Sequence, residues 1–101
     1  MKRLEIISLR TSGHSEQQAR QYMKKFCRIV KKHHLSVDAN FYLSDANFYV
    51  HASIPGDLAL IISSQAQEGT DMRTDLSVYL ADLLKQFGLV DYNSWLMVEN
   101  Q

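Results

Sequence analysis

Apolar and polar positions alternate most clearly over Asn47–Ser64, and that stretch predicts a β-hairpin with two chemically different faces. Phe48, Val50, Ala52 and Ile54 fall on one side, with Tyr49, His51 and Ser53 on the other. Pro55-Gly56 then supplies the fixed φ and the positive φ that a type II turn requires. Beyond the turn, Leu58, Leu60 and Ile62 alternate with Ala59, Ile61 and Ser63.

The same periodicities organise the rest of the chain. Arg3–Thr11 reads as a strand with Leu4 and Ile6 on one side and Ile7 and Leu9 on the other, which suits a central position. Ser15 with Gln18 forms a capping-box pattern that opens a helix. In that helix Ala19, Tyr22, Met23, Phe26, Ile29, Val30 and His33 build an apolar stripe bordered by Cys27. A second helix follows the polar loop Gln65–Asp71, with Thr70 or Asp71 as cap. Its stripe is Met72, Leu76, Tyr79, Leu80, Leu83, Leu84 and Phe87, and Gly88 occupies the left-handed C′ position. Asp91-Tyr92-Asn93 turns the chain into a last strand, Ser94–Glu99.

The stretch between the first helix and the hairpin holds an internal echo. Asp38-Ala-Asn-Phe-Tyr42 recurs as Asp45-Ala-Asn-Phe-Tyr49, seven residues later. On one continuous strand an odd offset would put the copies on opposite faces. A turn near Ser44–Ala46, with a short extra strand over 37–43, resolves the conflict. The element order is then β-α-β-β-α-β. It predicts a single α+β domain over residues 1–101, with a ferredoxin-like antiparallel sheet and both helices on one face.

That arrangement leaves the other sheet face open, and Tyr49, His51, Ser53, Trp95 and Met97 are expected to gather there with Ile61. Aromatic residues with one polar group recur at interfaces, and an apolar patch of this size calls for a partner. The expectation is a homodimer that packs these faces, with room for a small apolar ligand between them. His51 is the side chain with the pKa range for acid–base chemistry, although Ser53 lies about 6–7 Å along the strand, too far for a direct bond. An ordinary half-exposed sheet face is the alternative.

Charge and composition narrow the field. The net charge is zero, yet residues 1–37 carry +7 and residues 38–101 carry −7. Arg20, Lys24, Arg28 and Lys31 give the first helix a basic face, which acids on the second helix are expected to neutralise. No basic residue lies between Lys32 and Arg73, so the central strands lack cations for phosphates, which argues against nucleic acid. The four His and one Cys show no metal-ligand spacing, and the four Gly form no phosphate loop, so neither metal nor cofactor is expected. A lone Cys27, no bilayer-length apolar run and no signal-peptide core point to a cytoplasmic protein without a membrane segment.

The segment His51-Ala-Ser-Ile-Pro-Gly-Asp-Leu58, the run Leu80-Ala-Asp-Leu-Leu-Lys-Gln-Phe-Gly-Leu-Val90 and Trp95 resemble small uncharacterised bacterial proteins of the dimeric α+β barrel superfamily. Antibiotic-biosynthesis monooxygenases are related to that group. The resemblance covers mainly the second half of the chain. It implies pairing of sheet faces around a cavity and, as the alternative to a binding role, a cofactor-independent enzyme acting on a small organic substrate. No monooxygenase catalytic residue set maps onto these positions.

Overall fold

The computed structural model describes residues 2–33, 36–38, 41–66 and 75–98. Among the described residues five strands and two helices follow one another as β1 (Lys2–Thr11), α1 (Glu16–His33), β2 (Ser36–Asp38), β3 (Phe41–Val50), β4 (Asp57–Ala66), α2 (Asp75–Leu84) and β5 (Gly88–Leu96). Short 3-10 turns at Gly13–Ser15 and Lys85–Phe87 lead into α1 and out of α2. Each neighbouring pair of strands is antiparallel, and the sheet order is β2-β3-β4-β1-β5. With the three-residue β2 set aside, this is the predicted ferredoxin-like α+β fold.

Both helices pack on one face. Ile7 and Leu9 from β1, and Leu58, Leu60 and Ile62 from β4, join Met23, Cys27 and Val30 of α1 and Leu80 and Leu84 of α2 in one core. The alternation predicted for β4 therefore holds along its length. Ile29 and Tyr79, expected in the helix stripes, are exposed, and Ser77 is buried in α2 instead. The loop expected over Gln65–Asp71 starts later, because Gln65 and Ala66 pair with β3 as part of β4; residues 67–71, the expected caps and Met72 lie outside the described residues.

The internal echo is resolved by a β-bulge, not by a turn. Leu43 pairs with Ser64 and Asp45 with Ser63, so Ser44 is an extra residue in β3. One inserted residue cancels the odd offset. Phe41 pairs with Ala66 and Phe48 with Leu60, while Tyr42 pairs with Gln65 and Tyr49 with Ala59. The Phe-Tyr pairs of the two copies thus share register parity on β3, while Asp38 of the first copy ends the separate strand β2, which shrinks to Ser36–Asp38.

The hairpin is also shorter than its pattern suggested. β3 ends at Val50, and residues 51–56 form a connecting loop that closes in the expected turn, with Ile54 O accepting from Asp57 N at 3.4 Å and Gly56 at φ 85°. Thr11 fastens this loop to β1 by donating its N–H and its hydroxyl to Gly56 O, at 2.9 and 2.8 Å.

At the same end of the sheet, where it pairs with Thr11, Gly88 is not a left-handed cap. It opens β5 at φ 157°, and a Cβ there would lie 1.9 Å from Arg10 O. Close approach of two backbones dictates this glycine. Asp91-Tyr92-Asn93 is mid-strand: Asp91 and Asn93 are exposed and alternate with half-buried Val90 and Tyr92. An edge strand tolerates these turn-forming residues because their side chains reach water.

Candidate functional site

On the sheet face away from the helices, side chains fall into transverse rows set by the register. One row is Tyr49, Ala59, Ser8 and Asp91, and the next toward the strand ends adds Asp57, Arg10 and Leu89. His51, just past β3, lies beside Asp57, whose carbonyl accepts its N–H at 2.8 Å. Between these rows runs a trough of about 490 Å³. Its floor is small, with Ala59 and Ser8. Tyr49 and His51 stand on the β3 side, and Leu89 and Asp91 on the β5 side. Arg10 Nε donates to Asp57 Oδ1 at 3.1 Å, so the two charges at the rim already satisfy each other.

The ring of His51 has a defined role in its loop. Its Nδ1 accepts from Ser53 N at 3.0 Å and from Ile54 N at 2.9 Å. Two amide donors at Nδ1 place the proton of the neutral ring on Nε2. His51 is thereby presented as a hydrogen-bond donor, and the lone pair a general base would use is engaged.

Of the five residues expected to converge, Tyr49 and His51 share the trough and the other three do not. Ser53 sits in the loop, because the strand pairing stops at Val50. Trp95 is on the open face of β5 but three strands across and four residues along from the Tyr49 row, about 20 Å by strand geometry. Met97 lies past the end of β5, tied by its N–H to Lys2 O at 2.9 Å, and its side chain is exposed. Sequence reasoning missed Ser8, Arg10, Asp57, Leu89 and Asp91, which only the register of β1 with both neighbours assembles.

A second group was missed entirely. On the helix-covered face of β1, Arg3 and Glu5 are fully buried, alongside Ser64 of β4 and Ser77 of α2. The Tyr92 hydroxyl donates to Glu5 Oε2, and Ser77 adds a hydrogen bond to the Tyr92 oxygen. Burial first, then the Glu5 hydrogen bond and charge, push the Tyr92 phenol well above its ordinary range. Glu5 Oε1 and Ser64 Oγ have no hydrogen-bond partner among the described residues. The signal was present in the alternation of Arg3, Glu5, Ile7 and Leu9 on one side of a central strand.

The two flanks of α1 differ in chemistry. Tyr22 meets Phe87, just after α2, at a ring separation of 6.1 Å. Lys24, Arg28 and Lys31 instead line a groove with Asn47 and Phe48 of β3. The basic flank is thus turned away from α2, and among the described residues no ion pair joins the two helices. Of the acids on the second helix, Asp82 pairs with Lys85 at 2.9 Å, and the side chains of Asp71 and Asp75 lie outside the described residues. Among the described residues no group of three metal-ligating side chains occurs, and no helix is long and apolar enough to cross a membrane.

No protein family and no curated protein matches this chain. Its fold is similar to that of a solved conserved protein of unknown function from Bacteroides thetaiotaomicron, described as a possible oxidoreductase. The TM-score is 0.62 at 9% identity, with 93% of this chain and 94% of that one covered. At this identity the similarity establishes the architecture, a small α+β domain with an antiparallel sheet.

Proposed function

We propose that this chain is a cytoplasmic homodimer, packed through the open sheet face, whose trough holds a small apolar ligand. The observation that carries the proposal is the distribution of charge on that face. Its two central strands offer Leu4, Ile6, Ala59 and Ile61, while Lys2 and Arg10 lie at strand ends and Asp45 and Asp91 on the flanking strands. An uncharged centre inside a polar rim is the anatomy of a protein interface. Four long strands give a footprint about 19 Å by 30 Å, or about 600 Å² before side-chain relief, near the roughly 800 Å² per partner of a standard interface. A face that meets itself across a two-fold axis would also roof the trough.

Light scattering over a dilution series tests the assembly. The wild type is expected to be a dimer at high micromolar concentration, and Ile6→Asp or Ile61→Asp to be a folded monomer by circular dichroism. A wild-type monomer at that concentration overturns the proposal.

A second reading is a cofactor-independent enzyme acting on a small organic substrate. It is favoured by Tyr49 and His51 in one trough, with Nε2 of His51 as donor, and by the possible oxidoreductase that shares the fold. Soaking a crystal with 2-naphthol separates it from a binding role: density in the trough with no turnover of phenols or quinols leaves binding alone.

A further inference from the structure

The groove between α1 and β3 has a volume of about 520 Å³, within the range of small-molecule sites. Lys24, Arg28, Lys31 and Lys32 supply its charge, and half-buried Phe48 with Cys27 supplies an apolar wall. No acid lines it. Burial pushes the Cys27 thiol above its usual range, so that residue contributes surface and not reactivity.

Helix propensity does not account for this arrangement. Arg20, Lys24, Arg28 and Lys32 follow one another at i,i+4 spacing, where like charges each cost a few tenths of a kcal/mol. Glu16 is the only acid on the helix. Lys31 is also held in place: its Nζ donates to Asn47 Oδ1 at 2.8 Å, and Asn47 Nδ2 donates to Asp45 Oδ2 at 3.0 Å. Asp45 in turn accepts from Ala46 N at 2.9 Å, beside the β3 bulge. A relay of this kind fixes a lysine where a free side chain would sweep through solvent.

We infer that this groove binds a compact molecule carrying two or more phosphate groups, of the nucleoside diphosphate class. Four cations that line one concavity match a dense, compact anion. An Arg fork binds a phosphate by two parallel hydrogen bonds, and Phe48 offers a ring face or edge to a base. A long nucleic-acid strand fits poorly, because the chain beyond the groove carries no cation from residue 33 to 72. The inference rests on α1 and β3 alone and is independent of the assembly proposed above.

Calorimetric titration with ADP, inorganic pyrophosphate and adenosine, with amide chemical shifts recorded in parallel, tests it on the full chain. ADP and pyrophosphate are expected to bind and to shift amides of residues 24–32 and 47–48, with adenosine at least about tenfold weaker. R28E with K31E should weaken ADP at least about tenfold, R28Q by less, and K25E, which lies off the groove, by under about twofold. R28Q keeps the test informative should the double reversal fail to fold. The inference fails if neither phosphate compound binds at millimolar concentration in low salt. It fails equally if the shifts map elsewhere, if K25E matches the double variant, or if only oligonucleotides bind.

Discussion

The helix-covered face of the sheet has two ends that solve the same burial problem in opposite ways. At one end Ile7, Leu9, Leu58 and Leu60 join apolar side chains of both helices and Phe87 in one core. Toward the other, Arg3, Glu5 and Ser64 occupy equivalent inward positions of the same strands, and Tyr92 of β5, which pairs with Ile7, reaches Glu5 with its hydroxyl. Strand alternation enforces inwardness without regard to chemistry, so a charged residue at an odd position of β1 is buried as surely as a leucine. An apolar end is stabilised by every methylene it hides. A polar end bears desolvation of several kcal/mol per charge and is favourable only where partners are well placed. Keeping such a group inside a 101-residue domain therefore marks the end that carries Arg3 and Glu5 as the more specialised half.

The contrast is broken most directly at Glu5. Glu5→Ala removes the acceptor of the Tyr92 hydroxyl and the opposite buried charge two residues from Arg3 on the same strand face, and urea unfolding should show a loss of about 3–5 kcal/mol. Glu5→Leu combined with Arg3→Met should recover most of that loss, since an apolar pair removes the desolvation cost of both charges. An unchanged or stabilised Glu5→Ala would erase the distinction between the two ends.

Leu60→Ala probes the apolar end and should cost about 3 kcal/mol by the same measurement, as lost transfer energy plus a cavity. Its partner change, a restoring second substitution nearby, has no counterpart here, because no buried charge is left behind.

Tyr92→Phe is the mildest change, costing about 1–3 kcal/mol at neutral pH through the unmet Glu5 oxygen. It also carries a pH signature. The folded-state phenol of Tyr92 is raised above its ordinary value of 10.0, so its contribution is complete below that value and is lost as pH rises beyond it. Wild-type stability should therefore fall more steeply than that of Y92F on the alkaline side of pH 10. Tyr22 and Cys27, also raised by burial, titrate alike in both proteins and cancel in the difference. Parallel alkaline slopes would remove the linkage.

Much of the fold was legible because its signals are local. The β4 alternation, the Pro55-Gly56 turn and the Met23, Val30, Leu80 and Leu84 stripes all reappear in the structure. Where local signals competed, the reading failed. Asp91-Tyr92-Asn93 has turn chemistry, yet pairing with β1 holds it extended. The Asp38 and Asp45 copies demanded a break in alternation, but a one-residue bulge satisfies that demand as well as a turn does. Gly88 resembled a helix cap, and the neighbouring backbone at Arg10 is what requires it. Tyr49 and His51 could be placed near one another from the hairpin. Arg10, Asp57 and Leu89 could not, because they meet through registers set by residues far away in sequence.

By itself the sequence determined the number and order of the major elements, the inward residues of β4 and most of those of the helices, since periodicity and turn chemistry act over a few residues. Only the tertiary structure decided the pairing registers, and with them the trough beside Tyr49, the buried Glu5–Tyr92 contact and the outward basic groove. Register is a long-range property: one residue of slip reverses every side chain on a strand, and nothing within that strand alone records which choice its neighbours impose.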